Sequence, residues 1–233
     1  MGESDSERLS KNNRFRIDFS DNHVCLKFPV PRQTLSSAVF NGGAGLVENV
    51  LFMRVMENFD GRHDAFDDPP VTMDRYCQQI GLYGTTVGMM TSADMTSFRN
   101  VTRSEEGISV SSCLTAGLSN ARCAGDRADI RDQEEPGKPG TINIALVTNV
   151  GMSVATMAEA IMMATEAKVA ALRRLNRTSP LSGNPITGTG TDAVTIVSGY
   201  GPQQARYCGK HTLLGELIAS AVIQSLHESL LGS

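Results

Sequence analysis

Apolar and polar side chains alternate along Phe15–Phe19 and again along His23–Phe28, with Ser20-Asp21-Asn22 between them; this predicts a β-hairpin. A short apolar strand starting at Leu35 should end in the turn Asn41-Gly42-Gly43. Leu46, Val50, Leu51, Val55 and Phe59 then recur at helical spacing, so Ala44–Phe59 is predicted to be a helix. Asp68-Pro69-Pro70 can cap and start a second helix reaching about Ile80, with Gly81 as its stop. Thr85–Met90 and Ile108–Leu118 read as strands, and the charged, proline-containing segment Arg127–Pro139 as an exposed loop.

The second half has the stronger pattern. Thr141–Thr148 is a strongly apolar strand, and Ser153 can cap a helix running to about Asn176. Thr178–Gly190 reads as a loop, Ala193–Val197 as another strand, and Lys210–Leu230 as a last amphipathic helix. A strand, a long helix and a strand in that order form a β-α-β unit, whose strands should be parallel with a right-handed crossover. The fold class expected is α/β: a single domain over 14–233 with a mixed sheet flanked by helices, ending in a C-terminal β-α-β-α unit. A segregated α+β arrangement is the alternative. The polar stretch Met1–Asn12 reads as a frayed tail without the apolar segment of a signal peptide.

Composition narrows the function classes. The formal net charge is -4, which argues against nucleic acid as the main partner. No apolar run reaches the roughly 18 residues a membrane span needs. The chain has 11 Met, 22 Gly and no Trp, so its core is built from small and flexible side chains. The five cysteines include no CxxC pair, which is at odds with a disulfide framework or a structural zinc site and fits a reducing cytoplasm. Cys208 stands out only because it lies three residues before His211. No HExxH and no GxSxG occurs, so neither a dedicated zinc site nor an α/β-hydrolase elbow is supported. No metal is expected, and homo-oligomerisation is left open.

The stretch richest in chemistry is Thr187-Gly188-Thr189-Gly190-Thr191-Asp192, just before an apolar strand. Its glycines let backbone amides approach a ligand, and its threonines supply donors and acceptors. It is not a P-loop, because no Lys-Ser/Thr pair opens a helix after it; a tight loop with solvated threonines is the plain alternative. Ligands in open α/β sheets tend to bind beyond the carboxyl ends of strands. Here those ends carry Asn149, Ser119-Asn120, Thr91 and Asp94, and Asn41-Gly42-Gly43. On the long helix, Val154, Ile161, Thr165, Lys168, Leu172 and Leu175 fall on one stripe, which puts Lys168 on the apolar face. Such a lysine either snorkels to an edge or is buried opposite an acid. Glu166 projects to a flank and does not pair with it. His211 opens the last helix, where the helix N-terminus favours a neutral imidazole suited to a general base. A packed capping role is the alternative. Residues alone thus reach a cytoplasmic α/β protein with a polar pocket, an enzyme of unspecified reaction.

Several blocks, in this order, resemble the adenosylcobinamide amidohydrolase family. They are Leu35-Ser36-Ser37-Ala38-Val39 with Asn41-Gly42-Gly43, and Val87-Gly88-Met89-Met90-Thr91-Ser92-Ala93. Gly117-Leu118-Ser119-Asn120-Ala121 with Ala124-Gly125-Asp126 follows, then Gly140-Thr141-Ile142-Asn143-Ile144. The rest are Ala158-Glu159-Ala160 with Thr165-Glu166-Ala167-Lys168, the Thr187–Asp192 stretch, and Gly209-Lys210-His211-Thr212 with Leu214-Gly215-Glu216. The resemblance spans about Phe15 to Leu230. Cys208 and the acidic loop Asp126–Gly137 are taken as features of this chain.

The resemblance implies hydrolysis of the amide joining aminopropanol to the corrin ring of adenosylcobinamide. The products would be adenosylcobyric acid and 1-amino-2-propanol, in cobamide salvage. The corrinoid, cobalt included, would be substrate and not cofactor, and a complete cobamide is a related substrate. For such a reaction Glu166 or His211 is expected as the base for water. Asp192 would orient that base or protonate the leaving amine, and Lys168 with Asn120 would hold the oxyanion. A covalent route through Ser119 or Thr191 is the alternative. Substrate is expected to meet Asn41, Gly42, Gly43, Met90, Thr91, Ser119, Asn120, Asn143, Thr187, Thr189 and Thr191. A corrinoid carrier without catalysis, and an unrelated amidase acting on a small substrate, are the competing readings.

Overall fold

The structure is a computed structural model that describes residues 8–9, 15–55, 68–128 and 140–232. The hairpin forms as expected. β2 (Arg16–Phe19) pairs antiparallel with β3 (His23–Ser36), and the preceding β1 (Arg8–Leu9), inside the stretch read as a tail, pairs with β2. Ser20 shapes the turn, its Oγ accepting the backbone N–H groups of Asn22 and His23 at 3.3 and 3.0 Å. β3 runs past the hairpin through Pro29 and Pro31, and its register with the next strand shifts between Lys27 and Arg32. Two residues without a backbone N–H cannot keep a regular ladder, so the irregularity falls there.

The helix predicted over Ala44–Phe59 is instead strand β4 (Gly43–Arg54); residues 56–59 lie outside the described ones. Val50 and Phe52 face one neighbouring layer while Leu51 and Met53 face another. A strand buried on both sides loses its alternation, and a short continuous apolar run fits a helix equally well. α1 (Pro69–Gln79) follows, with Pro at its start and Gly81 beyond its end at φ +63°. Then come β5 (Thr86–Thr91), β6 (Arg99–Glu105), β7 (Ile108–Ala116) and the two-residue β8 (Ala121–Arg122). The loop expected at Arg127–Pro139 lies almost entirely outside the described residues.

The C-terminal β-α-β-α unit is present. β9 (Ile142–Thr148) leads through β10 (Gly151–Met152) to α2 (Val154–Arg173), where Ser153 accepts from the Thr156 N–H as cap. β11 (Gly188–Thr189), β12 (Ala193–Val197) and β13 (Gln204–Ala205) precede α3 (Leu213–Leu231). β9 and β12 are parallel. The large sheet is mixed: β1-β2-β3-β12-β9-β7-β6 in order, with β4 on β3 and β5 parallel to β4.

Strand alternation sorts the core into layers. Val110, Leu114, Ile144, Leu146, Val194 and Ile196 point to α2 and α3. Their neighbours Cys113, Ala145, Val147 and Val197 point the other way, onto Val50, Phe52, Val87 and Met89 of β4 and β5. The sheet thus curls so that its two halves pack face to face. Met73 and Cys77 of α1 cover the outer side of β3, β4 and β5. Met89, 1% exposed, is plain core. Each fully buried side chain of this size stabilises by about 1.5–3 kcal/mol.

His23 ties hairpin to helix. Its Nδ1 lies 2.9 Å from both Ser20 Oγ and Tyr76 Oη. Burial lowers its pKa, with Asp18 opposing and Lys27 adding to the shift. The unfolded chain therefore binds a proton at higher pH than the folded chain does, and stability rises with pH across that window. Urea melts should show stability falling as pH drops through about 6.5 and levelling off below the folded pKa. The His23→Gln variant should lose this slope.

Candidate active site

The polar positions converge at one edge, but not the edge expected. They gather at the amino ends of the parallel pair β9 and β12 and the carboxyl ends of β5 and β7. The carboxyl-end rule fails because β7 runs antiparallel to β9 and the curled sheet lays β5 across it. Asn149, at the carboxyl end of β9, is on the opposite edge. There it braces the β6–β7 turn, accepting from Ser109 N–H and donating to Gly107 O, both at 2.8 Å.

Asp192 is the centre of the cluster. Its Oδ1 accepts the Thr189 hydroxyl at 2.5 Å and the Ile142 N–H at 3.0 Å. Its Oδ2 accepts the Thr189 N–H at 3.1 Å and the Lys168 ammonium. The side chains of Lys168 and Asp192 are 9% and 12% exposed, so this is a buried ion pair. Of the two positions open to Lys168, the structure selects burial opposite an acid. Gly188 makes room for the pair, since a Cβ there would overlap Asp192 Oδ2 and stand 2.9 Å from Lys168 Nζ. The rest of the α2 stripe shifts from the prediction. Val154 and Thr165 are exposed, while Met157, Ala160, Ala164 and Ala171 are buried with Lys168.

Short strands hold the Thr187–Asp192 stretch against the turn after β7. β11 pairs with β8, placing Thr189 opposite Ala121 and Gly188 opposite Arg122. Gly190 N–H donates to the Asn120 carbonyl at 3.1 Å, and a Cβ on Gly190 would come within 2.5 Å of Asn120 Nδ2. Asn120 is 4% exposed, and its Oδ1 is buried with no hydrogen-bond partner. Gly140, at φ +137°, passes so close to Ser119 and Asn120 that a Cβ would lie 2.5 Å from Ser119 Oγ. Thr141, not nominated from sequence, joins the loops by donating its hydroxyl to the Thr191 carbonyl at 2.7 Å. Asn143 Nδ2 donates to the Met90 carbonyl at 2.8 Å, and Thr91 Oγ1 accepts from Ala93 N–H at 3.0 Å. Thr187 Oγ1 accepts from Ala124 N–H at 2.8 Å. The hydroxyl of Ser179 holds Asp126 below the usual carboxylate range, with help from the Ser182 hydroxyl and the Cys123 N–H.

Three groups of nominated residues lie elsewhere. Asn41 Nδ2 donates to the Thr86 carbonyl, at the opposite end of β5 from Met90, so Asn41, Gly42 and Gly43 brace that end. Glu166 is exposed and pairs with Lys210 at 2.6 Å. The pair sits in an open groove of about 770 Å³ between α2, α3 and β6, with Arg103, Arg174 and His227 among its walls. His211 is exposed beside Gly209 and does not open α3. Thr212 is the cap, its Oγ1 accepting from Gly215 N–H at 3.1 Å. Gly215 is pressed against the Gly209 and Cys208 carbonyls, so backbone occupies the room it leaves. Cys208 is buried and its thiol pushed up to about 12, chiefly by burial and then by Glu159, so it is no thiolate nucleophile. Among the described residues, no three His, Cys, Asp or Glu side chains assemble as a metal set, and no helix is long and apolar enough to cross a membrane.

Fold and cluster define an α/β protein with a buried lysine–aspartate pair under a threonine- and glycine-rich loop. The chain matches the adenosylcobinamide amidohydrolase family model over residues 6–232 and belongs to that family. A relative named adenosylcobinamide amidohydrolase, from Methanosarcina mazei, is 30% identical over 203 residues, which cover 83% of this chain and 88% of the relative. An uncharacterized protein of Methanocaldococcus jannaschii is 44% identical over 93 residues, 40% of this chain and only 36% of the relative's length. Two solved structures are also similar. One is a Pyrococcus horikoshii protein (TM-score 0.43, 10% identity, 98% of this chain and 81% of that one). The other is a Burkholderia sp. beta-aminopeptidase (TM-score 0.42, 13% identity, 96% and 81%).

Proposed function

We propose that this protein hydrolyses the aminopropanol amide of adenosylcobinamide, releasing adenosylcobyric acid and 1-amino-2-propanol for cobamide salvage. The observation that carries this reading is membership of the amidohydrolase family over nearly the whole chain. The site supports it with what amide hydrolysis needs. A carboxylate, Asp192, is held in place and hydrogen-bonded to a hydroxyl at the surface. An amide side chain, Asn120, lies against the same loop with its oxygen unpartnered. A buried cation, Lys168, stabilises negative charge there. Glu166 and His211 stand outside this machinery. Five free cysteines accord with a reducing, cytoplasmic setting.

Mass spectrometry of adenosylcobinamide incubated with the purified protein tests the reading. Adenosylcobyric acid and free aminopropanol are expected in equal amounts. Corrinoid that binds and is recovered unaltered would favour a carrier instead.

A further inference from the structure

We propose that Thr189 is the nucleophile of this amide cleavage and that Asp192 takes and returns its proton; the proposal rests on the amidase reading above. Three threonine hydroxyls line the loop, and their hydrogen bonds separate them. Thr187 Oγ1 receives the Ala124 N–H, and Thr191 donates to the Gly140 carbonyl at 3.1 Å. Thr189 alone of the three donates to a carboxylate, at 2.5 Å. An alcohol is a weak nucleophile until a base within hydrogen-bond reach removes its proton, and that base must itself be held in orientation. Asp192 satisfies both conditions, with Lys168 and two backbone N–H groups fixing its oxygens. From interior to surface the order is Lys168, Asp192, Thr189, and Thr189 is the partly exposed member through which a substrate can be met.

Thr189 is partly exposed, and its Oγ1 also lies 3.4 Å from the Thr191 N–H, from which it accepts. Gly188 and Gly190 flank it without side chains, and neither position has room for one. Beside Gly190, Asn120 packs its amide against the same loop, with Nδ2 nearest the glycine and Oδ1 buried.

The step balances. Thr189 Oγ bonds to the amide carbonyl carbon as its proton moves to Asp192. The carbon–nitrogen bond then breaks, and Asp192 returns that proton to the departing nitrogen, releasing the amino alcohol. Water attacks the resulting ester of Thr189 and passes a proton to Asp192. Breakage of the ester bond frees the carboxylic acid and restores the threonine hydroxyl.

Thr189→Val keeps the side-chain shape and removes the nucleophile; Thr189→Ser keeps the hydroxyl. With adenosylcobinamide, turnover should fall at least about 10³-fold in the valine variant and stay within about tenfold of wild type in the serine variant. Hydroxylamine added to the wild-type reaction should yield the corrinoid hydroxamate, as expected of an ester intermediate. Acid-quenched protein should carry the corrinoid acyl group on the peptide containing Thr189. A valine variant that turns over within tenfold of wild type overturns the proposal while leaving the amidase reading intact. So does normal hydrolysis with neither hydroxamate nor acyl peptide. Wild-type protein that leaves adenosylcobinamide uncleaved overturns both.

Discussion

Lys168→Met should lower the unfolding free energy by about 3–5 kcal/mol, because it leaves the Asp192 carboxylate buried without its cation. The pair is nine-tenths covered, so solvent does little to screen it. For a chain of this size, that corresponds to a fall in Tm of roughly 6–20 °C. Asp192→Asn should cost a similar amount by stranding the ammonium. The double variant should recover most of the loss, since removing both charges leaves neither uncompensated. Urea titrations of the four proteins measure this cycle. Single variants that each cost under about 1 kcal/mol would mean that the pair behaves as a solvent-screened surface bridge.

Gly188→Ala is the sharpest probe of the site's geometry. Gly188 does not need a left-handed backbone, so alanine is excluded only by what its Cβ would meet, the oxygen of Asp192 and the ammonium of Lys168. The carboxylate must shift, and with it the hydroxyl of Thr189. A displacement of about 1 Å at a reacting group costs on the order of 10²-fold in rate, whereas overpacking costs only about 1–3 kcal/mol in stability. The variant should therefore be folded yet at least about a hundredfold slower. Gly45→Ala is the control. Nothing lies within 4 Å of a Cβ at that position, and neither stability nor turnover should change. Equal turnover of Gly188→Ala and wild type would remove Asp192 from the chemistry.

Local pattern carries the hairpin and both long C-terminal helices, because each of these buries one face and keeps its period. β9 and β12, buried on both faces, are legible instead as short apolar runs before and after the long helix. β4, also covered on both faces, reads as a helix because Leu46, Val50, Leu51 and Val55 happen to fall at helical spacing. It is covered by the opposing half of the sheet on one side and by α1 on the other, which erases the alternation that marks a strand. The candidate site was legible in composition but not in placement. The Thr187–Asp192 stretch and the apolar position of Lys168 both stood out, yet nothing in a helical repeat says that an acid 24 residues later will close over the lysine. Glu166 lies only two positions from Lys168, and the helix turns it to the α3 groove and to Lys210. His211 falls just outside α3 because the hydroxyl of Thr212 is the better cap. Thr141 stands in the Gly140–Ile144 block, but nothing local marks its role, since its partner is a backbone carbonyl in a distant loop.

The most direct test follows release of 1-amino-2-propanol from adenosylcobinamide by three proteins. These are wild type, the Lys168→Met/Asp192→Asn double variant, and the Glu166→Gln/His211→Gln double variant. Wild type and the Glu166/His211 variant should release it at equal rates, and the Lys168/Asp192 variant, still folded by circular dichroism, should release none. Release by the Lys168/Asp192 variant, or its loss on changing Glu166 and His211, would contradict the placement of the chemistry at Asp192; no release by wild type would contradict the proposed reaction itself.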